Sequence, residues 1–271
     1  MIINWRKAGT QLLALLKQPP AAATYRTYPK LRNFILDVMA EGRRKNTINL
    51  LFEADLTAIR TKIAQYHQPV SITAYIAKSL SDAVAEDKSI QAYRKGKSQL
   101  VIFDDVDLSI MVEREIDGHI MPVPLIIRGA HLLSVHAIAQ TLNAAKTATI
   151  GDTGPMSALE RVFFTLPNWL RKPIWLSIRH DPQAFKQFAG TVAITSMGMH
   201  AKGATVIIPI TPMTLMLSIG GAYTKLLLDN GKLITHEFIQ MNLSADHDII
   251  DGAPLMRFAE LLKRKLHGTD G

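Results

Sequence analysis

The chain has 271 residues, 48% of them hydrophobic and 20% charged, enough to bury a sizeable core and unlike a disordered polypeptide. It contains no cysteine, which excludes disulfides, thiolate metal sites, iron–sulfur clusters and cysteine nucleophiles, and fits a reducing cytoplasm. The formal charge of +8 favours anionic partners, but the cations are scattered with no dense Lys/Arg run among aromatics, so nucleic acid is not expected.

Residues 1–30 carry no acidic residue and are punctuated by Pro19-Pro20 and Pro29, which reads as a basic arm before a main body over 31–271. Arg6 and Lys7 ahead of the apolar run Ala8 to Leu16 mimic a secretion signal, but Lys17 closes that run early. An amphipathic arm lying on the protein or on a membrane surface is expected instead, giving a cytoplasmic protein with association at the inner membrane surface.

The body begins with a helix over Leu31 to Glu41, where Leu31, Ile35, Val38 and Met39 have helical spacing. A strand over Thr47 to Phe52 leads to a helix capped by Asp55. Ile72 to Ala85 is strongly amphipathic, and Arg94-Lys95-Gly96-Lys97 resembles a hairpin turn. Strands are expected over Val101 to Val112 and Gly118 to Ile127, the second at a sheet edge because of Pro122 and Pro124. A helix follows over Leu132 to Ala145, then a loop over Thr149 to Pro155.

Met156 to His180 mixes Phe163, Phe164, Trp169 and Trp175 with Arg161, Arg171, Lys172 and Arg179. Pro167 and Pro173 argue against one helix sorting these residues, so a segmented lid with an apolar inner face and a basic rim is expected. Such a lid serves either as a packing or subunit contact or as a channel for a long apolar chain or an amphiphile. Gly190 to Thr195 is a strand, and the uncharged stretch Ala204 to Tyr223 reads as two buried strands joined by a turn rather than a membrane span. Asp229-Asn230-Gly231-Lys232 is a hairpin signal, Lys232 to Ser244 a strand running into His247, and Pro254 to Leu266 a closing helix with a basic last turn. Helices and strands mix without regular alternation, which implies an α+β or a layered mixed-sheet fold in a single domain.

The chemistry gathers at Ser244-Ala245-Asp246-His247-Asp248-Ile249-Ile250-Asp251-Gly252-Ala253. This run resembles the H-x-x-x-D-G signature of the acyltransferases of 2-oxo-acid dehydrogenase complexes and of chloramphenicol acetyltransferase. The likeness continues through Arg32, Ile35 and Met39, which match an early R-x-x-I-x-x-x-M helix, and Glu53-Ala54-Asp55-Leu56-Thr57, which resembles E-x-D-[VL]-T. Gly118 with Pro122-Val123 resembles a G-L-x-x-P-V turn, and Gly190-Thr191-Val192-Ala193-Ile194-Thr195-Ser196-Met197-Gly198-Met199 resembles G-T-F-T-I-S-N-L-G-M.

The resemblance implies a two-layer α/β mixed-sheet fold of the chloramphenicol acetyltransferase type. It also implies a homotrimer with each active site at a subunit interface. His247 takes the place of the family's general base, and an imidazole that titrates near neutrality suits that work. Thr195 stands where the family has its oxyanion-donating serine, with Ser196 beside it as the alternative. Asp251 can be read as the orienting member of a triad. In chloramphenicol acetyltransferase, however, the equivalent Asp pairs with an N-terminal arginine, and this assigns Asp251, Arg32 and Gly252 to structural support of the site.

A coenzyme A thioester is the implied co-substrate, with an anionic lipid or membrane surface as a further partner. Thirty residues precede the match and no lipoyl-lysine context appears, so a member without a lipoyl group of its own is expected. His131, His136 and His200 form no metal-ligand spacing, and no metal is expected. A non-catalytic oligomeric scaffold and a membrane-surface binder of the same fold are the competing readings.

Overall fold

The computed structural model describes residues 22–25, 28, 32–116, 119–147, 166–196 and 203–268. Most of the arm expected over 1–30, the loop at 149–155 and the first part of the 156–180 segment lie outside these residues.

The chain opens with helix α1 (Arg32–Gly42), which leads to strand β1 (Thr47–Asp55) and helix α2 (Leu56–Ile63). The Asp55 carboxylate accepts the Ala58 N–H at 3.0 Å, so one side chain ends the strand and starts the helix. Helix α3 (Ile72–Glu86) is capped in the same way by Ser71. Two short strands, β2 (Tyr93–Lys95) and β3 (Gln99–Val101), form a hairpin whose turn holds Gly96 at φ 64°. Strands β4 (Leu108–Ile116) and β5 (His119–Ile127) follow, then helices α4 (Val135–Thr147), α5 (Asn168–His180) and α6 (Pro182–Ala189). Strands β6 (Val192–Ser196), β7 (Leu215–Asp229) and β8 (Lys232–Asp246) complete the sheet, and helix α7 (Gly252–His267) closes the chain.

The main sheet has the order β1-β8-β7-β6-β4-β5. It is mixed: β6 runs parallel to β4 and β7, and the other pairs are antiparallel. β5 is the edge strand that Pro122 and Pro124 imply, although both prolines sit within the strand rather than in a turn.

Successive strand residues face opposite sides, which divides the sheet cleanly. One face presents Phe52, Ala54, Met241, Leu243, Leu215, Leu217, Ile194 and Leu108 to Ile76 and Leu80 of α3, Ile138 of α4 and Phe258 and Leu262 of α7. This is the main core. The other face is more polar and carries a smaller cluster of Tyr93, Phe103, Phe185, Ala193, Met213 and Met216.

Three expectations are corrected. Val101 to Val112 is not one strand, because irregular chain separates β3 from β4. Ala204 to Tyr223 is not two strands and a turn: residues 203–214 form no strand, and β7 runs from Leu215 through Gly220-Gly221. That glycine pair is a bulge with a register shift between Ile219 and Ala222. The Thr205 carbonyl accepts the Gly221 N–H at 2.7 Å and lies 2.1 Å from where a Gly220 Cβ would stand, so position 220 admits only glycine.

Pro173 does not break α5, the third correction. It lies early in the helix and forfeits only the bond to the carbonyl of Trp169, an exposed residue. Nor is the inner face of α5 purely apolar: cations lie there beside the buried Trp175. Arg171 is 4% exposed, with Nε 2.9 Å from Asp37 of α1, and Arg179 grips Glu41 through two bonds of 2.6 and 2.7 Å. Trp169, Leu170, Ile174 and Leu176 face outward, and Trp169 is 71% exposed.

Candidate active site

His247 occupies the turn between β8 and α7. Its backbone N–H donates to the Asn46 carbonyl at 2.7 Å, just before β1. The buried Asp246 organises the same turn. Its carbonyl accepts the N–H groups of Ile249 and Ile250 at 3.0 and 2.9 Å, and its carboxylate accepts the Asp248 N–H at 3.2 Å and Lys45 Nζ at 2.5 Å. Asn46 Nδ2 donates to Asp248 Oδ1 at 2.9 Å.

The His247 side chain is 44% exposed, so its imidazole can meet a substrate. Nδ1 lies 3.6 Å from Asp251 Oδ1, too long for a hydrogen bond. Asp251 is the N-terminal flank of α7 and its side chain is 85% exposed. The expected buried pair with Arg32 is absent: Arg32 is exposed at the start of α1, and no ion pair joins it to Asp251. The carboxylate instead points toward His247 and solvent. Gly252 begins α7 with open space where a Cβ would stand, so no close approach explains that glycine here.

Thr195 and Ser196 end β6. Thr195 aligns with Ser218 of β7, and Ser218 with Asn242 of β8, so the three share the more polar face. Asn242 is buried and donates to Ser244 Oγ at 2.8 Å and to Asn49 Oδ1 at 3.2 Å. Ser196 aligns with the core residue Ile219 and therefore faces the helix-covered side.

The register also separates Thr195 from His247. From Asn242 to His247 the chain advances about 17 Å along β8 at ~3.3 Å per residue, and two strand spacings of ~4.8 Å separate β8 from β6. The two Cα positions thus stand about 20 Å apart, His247 just past the end of β8 and Thr195 midway along the sheet. A base must come within about 3 Å of the proton that it takes. One chain therefore does not bring the pair together.

Of the remaining histidines, His131 Nδ1 accepts the Val106 N–H at 3.4 Å and His136 packs edge-on to Tyr66; His200 lies outside the described residues. Among the described residues, no group of three or more His, Cys, Asp or Glu is placed to hold a metal ion. No described helix is long and apolar enough to cross a membrane.

Residues 27–169 and 179–270 match the family described as 2-oxoacid dehydrogenases acyltransferase (catalytic domain). The chain belongs to this family. Among relatives of this acyltransferase-family chain is the dihydrolipoyllysine-residue acetyltransferase component of the pyruvate dehydrogenase complex of Mycoplasma genitalium, 24% identical over 211 residues. The match covers 75% of this chain and 45% of that protein, so the chain spans about half the length of that relative. The dihydrolipoamide acetyltransferase of Azotobacter vinelandii superposes with a TM-score of 0.65 at 14% identity, over 93% of this chain and 98% of that one. A chloramphenicol acetyltransferase superposes with a TM-score of 0.50 at 12% identity, over 89% and 96%. The expected mixed-sheet fold of the chloramphenicol acetyltransferase type is thus the observed one.

Sequence reading singled out His247, Thr195 and Asp251 and gave no role to Lys45, Asn46 and Asp246, which hold the His247 turn of this family member. Lys45-Asn46 sits two hundred positions from that turn in the chain. Only the pairing of Thr47 with Asp246 brings them together.

Proposed function

We propose that the chain, over 31–271, is the catalytic unit of an acyltransferase. It moves an acyl group from a thioester, an acyl-coenzyme A, to a thiol, hydroxyl or amine acceptor. His247 is the general base and Thr195 the oxyanion donor, contributed by two subunits of a homotrimer. The observation that carries this reading is the strand register, which leaves the two residues about 20 Å apart in one subunit. A closed ring of copies supplies each with a partner from its neighbour.

The spacing in a relative supports the assignment. The catalytic mechanism of the Azotobacter vinelandii enzyme has been investigated at a serine, a histidine and an asparagine. That serine and asparagine stand at the same sequence distances from their histidine as Thr195 and Asp251 from His247. The long β7–β8 hairpin also offers a surface for assembly: it projects past the end of β1 and exposes Leu226, Leu228 and Leu233 on one face.

In this mechanism the imidazole takes the acceptor's proton as the acceptor attacks the thioester carbonyl. The Thr195 hydroxyl donates to the oxyanion of the tetrahedral intermediate. Collapse breaks the carbon–sulfur bond, and the imidazolium returns its proton to the departing thiolate. Cationic surface suits the phosphates of coenzyme A.

The test is thiol release from a panel of acyl-coenzyme A donors with dihydrolipoamide, alcohol and amine acceptors. Acceptor-dependent release that falls about 10²–10⁴-fold in a folded His247→Ala variant is expected. A His247→Ala enzyme as active as the parent refutes the assignment.

A further inference from the structure

We infer that Lys45 is a positioning residue for His247, acting through the buried carboxylate of Asp246. This rests on the reading of His247 as the base. The imidazole itself is weakly held: it is 44% exposed and its nearest carboxylate contact is 3.6 Å away. Its orientation must therefore come from the backbone on either side. Before it, Asp246 N–H donates to the Thr214 carbonyl at 3.0 Å, and the Asp246 carboxylate is 4% exposed. After it, the N–H groups of Asp248, Ile249 and Ile250 all end on Asp246. Asp246 is thus the hub of the turn, and Lys45 Nζ at 2.5 Å is the cation that neutralises it.

The lysine is fixed in turn. Its ammonium lies 5.7 Å from the centre of the buried Tyr93 ring, and it is half-buried in its own right. Asn46 adds two bonds, one to the His247 N–H and one to the Asp248 carboxylate. Two adjacent residues therefore clasp the three-residue stretch Asp246 to Asp248 from one side. Without the lysine, a buried carboxylate at the centre of the turn has no counter-charge, and its escape toward water carries the turn with it. A small displacement of a base is enough to suppress proton transfer.

The experiment compares Lys45→Met, Lys45→Arg and His247→Ala with the parent protein. One readout is kcat and KM for thiol release. A second, which needs no turnover, is the rate at which diethyl pyrocarbonate modifies His247, followed by peptide mass spectrometry. Lys45→Met is expected to lower kcat about 10–100-fold with KM within about twofold, and Lys45→Arg to recover most of the loss. The His247 modification rate should change in Lys45→Met and return in Lys45→Arg. If His247→Ala is inactive but Lys45→Met keeps parental kcat and an unaltered modification rate, the positioning role alone is overturned. If His247→Ala is fully active, the base assignment falls and the positioning role with it. A Lys45→Met protein that fails to fold leaves the test to Lys45→Gln, which keeps a polar side chain but no counter-charge for Asp246 and should change the His247 modification rate in the same sense. An unchanged rate there overturns the proposal.

Discussion

Two variants that are each inactive should rescue one another when they share a trimer. In one subunit His247 and Thr195 stand about 20 Å apart, so the proposed site needs the histidine of one copy and the threonine of the next. His247→Ala abolishes the base and Thr195→Ala the oxyanion donor, and each homotrimer should retain about 1% of parental kcat or less. If equal amounts are unfolded together and refolded, subunits combine at random. A site is intact when its histidine comes from a Thr195→Ala subunit and its threonine from a His247→Ala subunit, about one quarter of all sites in a cyclic trimer. Activity should therefore rise from the 1% range to about 25% of the parent, with KM unchanged because every active site is wild type. The assay is thiol release before and after co-refolding, with mixed trimers separated by a charged tag on one variant. Mixed trimers no more active than either homotrimer would refute the interface arrangement, as would a fully active parental monomer at micromolar concentration.

The strand register distinguishes the two hydroxyls at the end of β6: Thr195→Ala should cost about 10²–10³-fold in kcat, whereas Ser196→Ala, on the helix-covered face, should stay within about twofold. The opposite ranking would place the oxyanion donor one residue later. Asp37→Ala should lower stability by about 3–5 kcal/mol, read as a fall in Tm, because it strips both the buried Arg171 and the Trp175 indole N–H of a partner. A Tm shift below about 2 °C would show that Arg171 is satisfied without it. Burial holds His267 below its ordinary value of 6.5, against the pull of Asp55, and its Nε2 accepts the Asp55 N–H at 3.3 Å, which requires the neutral ring. The unfolded chain takes up this proton first, so the stabilisation is complete above pH 6.5 and declines as pH falls from 6.5 toward the folded value. Urea midpoints at pH 7.5 and 5.5 should show this slope in the parent and a shallower one in His267→Gln; equal slopes would remove His267 as its cause.

The parts of the fold legible in the sequence are those set by neighbouring residues. Asn230-Gly231 announces a turn needing two positive φ angles, and the hairpin has them at 48° and 77°. Asp55 announces a cap and caps α2. The basic end of α7 places Arg264 and Lys265 at the C-terminal pole of a helix, where cations belong. What misled was composition without context. Residues 204–214 are β-branched and apolar, but Pro209 and Pro212 remove two donors and no strand forms. Gly220-Gly221 looks like a turn from its own residues and is a bulge because of the distant Thr205 carbonyl. The site divides in the same way. His247 is visible in its motif, whereas the turn that holds it depends on Lys45 and Asn46 from the far end of the chain.

Helix α5 carries the same lesson into substrate binding. Sorting by hydrophobicity puts its aromatics inside and its cations on a wet rim, as a lid over an acyl chain requires. The arrangement is mixed, with Arg171 buried beside Trp175, because α1 presents Asp37 and Glu41 one helical turn apart, matching Arg171, Trp175 and Arg179 at the same spacing on α5. Charge pairing across the two helices outweighs the burial of Trp169, Leu170, Ile174 and Leu176, which face outward. Lifting α5 as a lid would part Arg171 from Asp37 and Arg179 from Glu41 and would expose the buried Trp175. The inner surface that an acyl chain would meet there carries ion pairs beside Trp175 and Ile178 rather than a continuous apolar wall. Helix α5 is accordingly tied to α1 by these pairs, while Trp169, Leu170, Ile174 and Leu176 present an apolar surface outward.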